Sequence, residues 1–329
     1  MLARRQWALL LILLVLTLLG FLVSLSSGSA GLGFGEVLQQ LLHPDAGLEN
    51  RILFELRIPR SLAAFVTGAL LAMSGVIMQV LLRNPLADPY ILGISGGAAV
   101  AALAAILFGL GGYWVSEAAF AGALLSILLV FGLARSSHHW SATRLLLTGV
   151  VVSAGWGAII NILLTTSSNN SVYSMLFWLM GDLSQSRVGA FSVIALLAGL
   201  LLMMYYARAL NVLSRGDLQA AALGVPVPRL KLILYFTASL LTASAVTIAG
   251  SIGFVGLVTP HMLRMLGARD HRVLLPASVL LGGSFLMIAD SIARTIIAPQ
   301  QLPVGVLTAL IGVPAFLLIL RHSARHLPE

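Results

Sequence analysis

The chain of 329 residues contains no cysteine, a single lysine (Lys231), and charged side chains at only 9% of its positions. Without cysteine, disulfides, thiolate metal sites and cysteine nucleophiles are excluded. With one lysine, preceded by PVPRL and not by a glycine-rich turn, a Walker A loop is excluded as well, because its lysine must reach the phosphates from such a turn. Any ATP-driven work therefore needs an engine on another chain. A soluble surface is also excluded: 59% of the residues are hydrophobic and the mean hydropathy is +1.01.

What is present is one long series of apolar runs. The expected fold class is an all-α, polytopic membrane protein in a single domain over 1–329. Spans are placed at Trp7–Leu25, Leu62–Leu82, Ile91–Leu110, Trp114–Ala134, Leu145–Leu164, Val188–Ala207, Leu232–Ala249, Ile252–Leu266, Leu274–Ile297 and Val304–Leu320. At about 20 residues per crossing, ten helices take up about 200 residues and leave no room for a large soluble domain. The first run resembles a signal peptide in position, but its length and the apolar chain that follows favour an uncleaved anchor.

Basic residues orient the spans. With the N-terminus inside, 14 of the 19 arginines and lysines fall on the inner side and 5 on the outer side (Arg51, Arg57, Arg60, Arg187 and Arg294). Both termini are then cytoplasmic, and the charge of +8 reflects this asymmetry, not nucleic-acid binding. Two outer polar segments stand out, near 26–61 and 165–187. GEVLQQLL in the first is expected to form an interfacial helix, while the second reads as loop.

The polar island NVLSRGDLQAAALGVPVP, Asn211 to Pro228, lies on the inner side between two spans. It reads as a short helix opened near Ser214 to Asp217 and closed by Gly224, with Pro226 and Pro228 beyond. Three other features invite chemistry. GISGG places Ser95 in a G-x-S-x-G pattern, a possible serine nucleophile, or merely small residues at a helix contact. Asp290 is the one acid well inside a span and could couple transport to an ion, or could pair with Arg294 four residues on. Gly250, Gly253 and Gly256 recur every three residues and suit close helix packing. The runs GALLAMSGVIMQVLLRNPLADP and AGSIGFVGLVTPHMLRMLGARDHRVLLP echo each other weakly, as halves of an inverted repeat would.

Taken in order, RIPRSLAAFVTGALLAMSGVIMQ, NPLADPYILGISGGAA, RLLLTGV, FWLMGDL, LGVP, GSIGFVGLVTPHMLR, DHRVLLPASVLLGG, ADSIAR and LPVGVLTALIGVPAFLLIL resemble the iron-chelate and cobalamin uptake permeases of ATP-binding cassette (ABC) importers, the FecCD family. The resemblance implies ten transmembrane helices in the type II importer permease fold, in the bacterial inner membrane. It implies a homodimer, two ABC ATPases carrying ATP and Mg, and a periplasmic binding protein, with no cofactor or metal on this chain. The substrate would be an iron–siderophore, haem or cobalamin. Leu213, Asp217, Gln219, Ala220, Gly224 and Val225 match the family's ATPase-coupling helix, and Arg57, Arg60 and Arg294 its binding-protein contacts. Ala142 and Thr143 of WSATR match the inner gate, where Ala142 departs from the hydroxyl residue often found. Met73, Met78, Gln79, Asn161 and Thr165 are the path candidates.

Overall fold

The computed structural model describes residues 2–28, 33–44, 47–134, 142–184 and 186–324, and among them every regular element is helical. In chain order these are α1 (Leu2–Ser26), α2 (Phe34–Leu42), α3 (Leu48–Arg51), a π turn (Ile52–Arg57), α4 (Ile58–Leu81), a 3₁₀ turn (Pro89–Leu92), α5 (Ile94–Leu107), α6 (Gly112–Ala134), α7 (Ala142–Thr166), α8 (Asn169–Met180), α9 (Ala190–Leu213), α10 (Asp217–Ala222), α11 (Val227–Ala249), α12 (Val255–Met265), α13 (His271–Thr295) and α14 (Val304–Ala324). Each of the ten expected spans carries one helix. Seven are long and apolar enough to cross a bilayer, and α5 and α14 are shorter apolar helices.

Three boundaries differ from the sequence reading. The helix of the second span runs unbroken through the π turn from Leu48 to Leu81, so part of the first polar segment is its outer extension. The eighth span is only the 11 residues of α12, about 16 Å at 1.5 Å per residue, too short to cross. It begins after an irregular stretch, 250–254, in which Gly250 and Ile252 are buried and the other three residues half-buried, so most of this non-helical backbone is shielded by protein. Finally, α8 occupies the segment read as loop; its NNSVY start is polar enough to mask a short helix whose apolar half follows. The interfacial helix expected at GEVLQQLL is present as α2, which buries Val37 and Gln40.

Helix α4 is the axis of the bundle. Nearly every side chain from Ser61 to Leu81 is buried, against α13, α11 and α12. Glycine makes this possible by letting backbone touch backbone. A Cβ on Gly68 would lie 2.2 Å from the Gly282 carbonyl oxygen of α13, and one on Gly75 would lie 1.9 Å from that of Gly256 in α12. The expected glycine triplet thus divides: Gly256 packs, Gly253 faces open space, and Gly250 takes a positive φ of 69° to end α11 beside the Trp178 carbonyl. Hydroxyls stitch neighbouring contacts, α4 to α11 and α1 to α13. Ser74 Oγ donates to the Ala238 carbonyl at 2.8 Å and lies 2.7 Å from Thr242 Oγ1, and Thr17 Oγ1 lies 2.8 Å from Ser284 Oγ.

Gly75→Ala should push α4 away from α12 and cost about 1–3 kcal/mol, the usual scale of overpacking. A thermal-unfolding scan in detergent should show a lowered Tm. Gly132→Ala, with nothing within 4 Å of its Cβ, should leave the Tm unchanged or raise it.

Candidate functional site

Polar side chains gather at both ends of the bundle, and one outward helix face links them. At the first end, Asp290 is fully buried between two arginines. Arg60 grips it through Nε, 3.1 and 3.0 Å from the two carboxylate oxygens, and through Nη2, 2.8 Å from Oδ1. Its Nη1 donates to Gln301 Oε1 at 2.7 Å. Arg294 Nε lies 3.1 Å from Oδ2, close enough for strong attraction although its N–H is not aligned for a hydrogen bond. Arg294 Nη2 donates to the Ser24 carbonyl and hydroxyl, and Arg57 Nη1 donates to the Leu25 carbonyl at 2.6 Å.

All three candidate docking arginines are therefore in one place, but Arg57 and Arg294 are only 5% and 7% exposed. Arg60 and Arg294 set two guanidinium groups against the one carboxylate of Asp290, a surplus of positive charge in that group. Asp290 is bound on both sides, so the ion-coupling alternative loses the free acid on which it depended.

At the opposite end, α10 is closed as its sequence predicts. Gly224 adopts a positive φ of 80°, its N–H donates to the Ala221 carbonyl, and the Val225 N–H donates to that of Ala220 at 3.0 Å. The opening differs, because Gly216 and not Ser214 or Asp217 is the N-cap, and no side chain caps it. Ser214 Oγ bonds back to the Asn211 carbonyl, and Asp217 turns to Lys231 Nζ at 2.5 Å, with Arg83 Nε 4.0 Å away. The lone lysine thus ties α10 to α11.

Leu213 and Ala220 are buried and anchor the helix, Val225 is half-buried, and Gln219 and Gly224 are exposed. The most exposed apolar residues here are two that the sequence reading did not single out, Leu218 at 87% and Leu223 at 71%. Leu218, two residues before the buried Ala220, lies on the opposite side of the helix, while Leu223 stands exposed at its C-cap; only the structure shows that Ala220 is the inward residue.

Beside α10, the Asn211 amide joins the end of α9 to the start of α13. Its Nδ2 donates to Asp270 Oδ1 at 2.8 Å, and its Oδ1 accepts from the His271 backbone N–H at 2.9 Å. Burial works against the Asp270 charge, but the Asn211 amide, the Arg272 N–H and the nearby Arg272 and His271 outweigh it and hold its pKa below the usual carboxylate range.

The path candidates separate into two groups. Met73, Met78 and Gln79 lie inside α4; Met73 packs at Gly199, and Gln79 Oε1 accepts a short hydrogen bond from Arg264. Thr143, Asn161 and Thr165 are exposed on α7, and Thr165 Oγ1 bonds to the Asn161 carbonyl at 2.9 Å. Ala142 begins α7, but its side chain lies outside the described residues, as do Trp140 and Ser141 of WSATR. Ala154, Gly155 and Ala158 are exposed as well, among Leu147, Val150, Val151 and Ile162, so α7 presents a mixed apolar and polar surface that the described residues do not cover. Ser95 Oγ donates to Ser251 Oγ at 2.8 Å, with no histidine in that bond to act as a base, so the nucleophile reading has no partner.

The chain is thus a bundle of membrane-length helices with a short helix exposed at one end and a long helix, α7, left uncovered on one side. Comparison with known proteins makes that specific. The model of the FecCD transport family matches residues 15–322, and the chain belongs to this family of ABC-transporter permeases. It is 44% identical to the cobalamin import system permease BtuC of Halobacterium salinarum, over 82% of this chain and 73% of that one. It is 38% identical to the vitamin B12 import system permease BtuC of Salmonella typhi, over 98% and 97% of the two chains. A solved inward-facing conformation of a putative metal-chelate type ABC transporter superposes with a TM-score of 0.85 at 32% identity, covering 95% of this chain and 98% of that one.

Asp290→Asn should be a folding defect first. Removing one partner of a buried ion pair typically costs about 3–5 kcal/mol. The yield of folded monodisperse protein and its Tm should both fall, whereas a free coupling acid would lose transport with stability intact.

Proposed function

We propose that the chain is the membrane-spanning subunit of a binding-protein-dependent importer for a bulky metal chelate, with a corrinoid as the favoured substrate. Two copies enclose the path, and a separate ATPase drives it. Support for the substrate class comes from the cobalamin permeases that match over nearly the whole chain and from the metal-chelate transporter that shares its shape.

The observation that carries the mechanism is α10. It is a rigid six-residue helix, pinned by buried Leu213 and Ala220 and by Lys231, that holds Leu218 and Leu223 out in the open. Two leucines exposed beside charged Arg215 and Asp217 suit a groove on a partner, and the rigid mount suits the transmission of a push. On this reading the α10 end is cytoplasmic, with both termini on the same side. Arg5 lies near Gly267 there, and α14 runs toward it from Gly305, which packs at Met180. The membrane is then the bacterial inner membrane.

ATP binding and hydrolysis in the partner shift the permease between outward-open and inward-open states, each favoured by its own contacts. The uncovered side of α7, with Thr143, Asn161 and Thr165, lines the path where two copies meet, since polar groups on a membrane helix need a partner or water. The Arg57–Arg60–Arg294 cluster receives an acidic binding protein at the other end, drawn by its surplus positive charge. Covalent chemistry stays with the ATPase, which holds the ATP and Mg.

The test is retention of the ATPase. Fully burying a leucine is worth about 1.5–3 kcal/mol, and each 1.4 kcal/mol is about tenfold. Leu218→Asp together with Leu223→Asp should therefore reduce ATPase co-purification from host membranes more than tenfold, with the Tm of the permease itself unchanged. Undiminished co-purification would refute α10 as the docking element.

A further inference from the structure

A cavity of about 1200 Å³ opens between α6, α8, α9 and α11. It lies at the end opposite α10, because α9 and α11 have their other termini beside α10. Its walls are aromatic, with Phe120 stacked edge-on to Phe191 at 5.2 Å and Tyr173 against Phe177 at 4.7 Å. Two opposite charges face into it, Glu117 from the second turn of α6 and Arg187 from the loop before α9. Neither forms an ion pair among the described residues, and Asp182 on the same wall, which accepts from the Ser184 N–H and hydroxyl, adds a second negative charge. The cavity is open to the surroundings, since Tyr113 and Tyr173 on its rim are 71% and 65% exposed.

We infer that this cavity is a binding site for a zwitterionic phospholipid with a primary ammonium headgroup, a phosphatidylethanolamine. The transport role of the family does not require such a site. Arg187 matches the phosphate, for which its planar fork of donors is suited. Glu117 matches the ammonium, which carries three N–H donors. The aromatic walls match the upper acyl chains, at the depth where tyrosine and tryptophan gather in membrane proteins. A partner bearing both charges satisfies both side chains at once, whereas an anionic lipid would leave Glu117 facing a phosphate. The volume accommodates a headgroup with the start of two chains, and exceeds the range of about 300–1,000 Å³ typical of small-molecule pockets.

Native mass spectrometry of the purified full-length chain tests this, with dioleoyl-phosphatidylethanolamine, -phosphatidylcholine and -phosphatidylglycerol titrated in separately. One phosphatidylethanolamine should be retained about tenfold more tightly than either other lipid, the scale of one charge-assisted hydrogen bond. Glu117→Gln should erase that preference, and Arg187→Gln should weaken all three lipids. Both side chains are exposed, so neither change threatens folding, and an unchanged Tm confirms it. Equal retention of phosphatidylethanolamine and phosphatidylglycerol by the native chain would overturn the proposal. So would phosphatidylcholine bound as tightly as phosphatidylethanolamine, which would assign the headgroup to the aromatic rings and not to Glu117. A preference that survives both substitutions would overturn it as well.

Discussion

The close approach of α4 to α12 and α13 is the contact on which the rest depends. A membrane offers little hydrophobic gain for bringing helices together, so packing must come from small residues and internal hydrogen bonds. Gly68 and Gly75 on α4, opposed by Gly282 and Gly256, supply the first; the Gln79–Arg264 bond to α12 supplies the second, and the Ser74–Thr242 hydroxyl pair adds α11 to the same rod. The result is a buried rod with functional groups at both tips. At one tip Arg57 and Arg60 join the cluster around Asp290; at the other, Gln79 holds Arg264, and Arg83 lies beside Asp217 of α10. The helix α4, continuous with the π turn before it, thus spans from the arginine cluster to the neighbourhood of α10.

Charge is spent sparingly in this chain, and most of it inside is accounted for. Lys231 is matched to Asp217 and Asp290 to Arg60 and Arg294. The arginine cluster keeps an excess of positive charge. Such an excess suits an acidic partner. On α7 the exposed Asn161 amide, set among apolar Val151 and Ile162, suits a second copy or a hydrated path better than lipid.

Much of this was legible in the sequence because it rests on local chemistry. The ten apolar runs, the Gly224 cap of α10 and the amphipathic α2 follow from periodicity and from single residues with strong backbone preferences. What was not legible depends on residues far apart. Arg60 and Asp290 are 230 positions apart, so the sequence could offer Asp290 only its neighbour Arg294 and left it looking like a candidate coupling acid. Leu218 looks like an ordinary helix leucine until Ala220 is seen to point inward, and Leu223 until it is seen uncovered at the C-cap. Met73, Met78 and Gln79 carry plausible chemistry, but the surroundings of α4, not their own types, place them in the interior. In α8 the polar start hid a helix, since propensity over a dozen residues is a weak signal beside tertiary packing.

The account stands on the claim that this chain moves a chelate only when an external ATPase drives α10. Proteoliposomes holding the permease and its ATPase, supplied with the binding protein and labelled cobalamin, haem or ferric siderophore, measure that directly. Uptake should require ATP and the binding protein, favour cobalamin, and be indifferent to proton or sodium gradients. Accumulation driven by an ion gradient in the absence of ATP would contradict it.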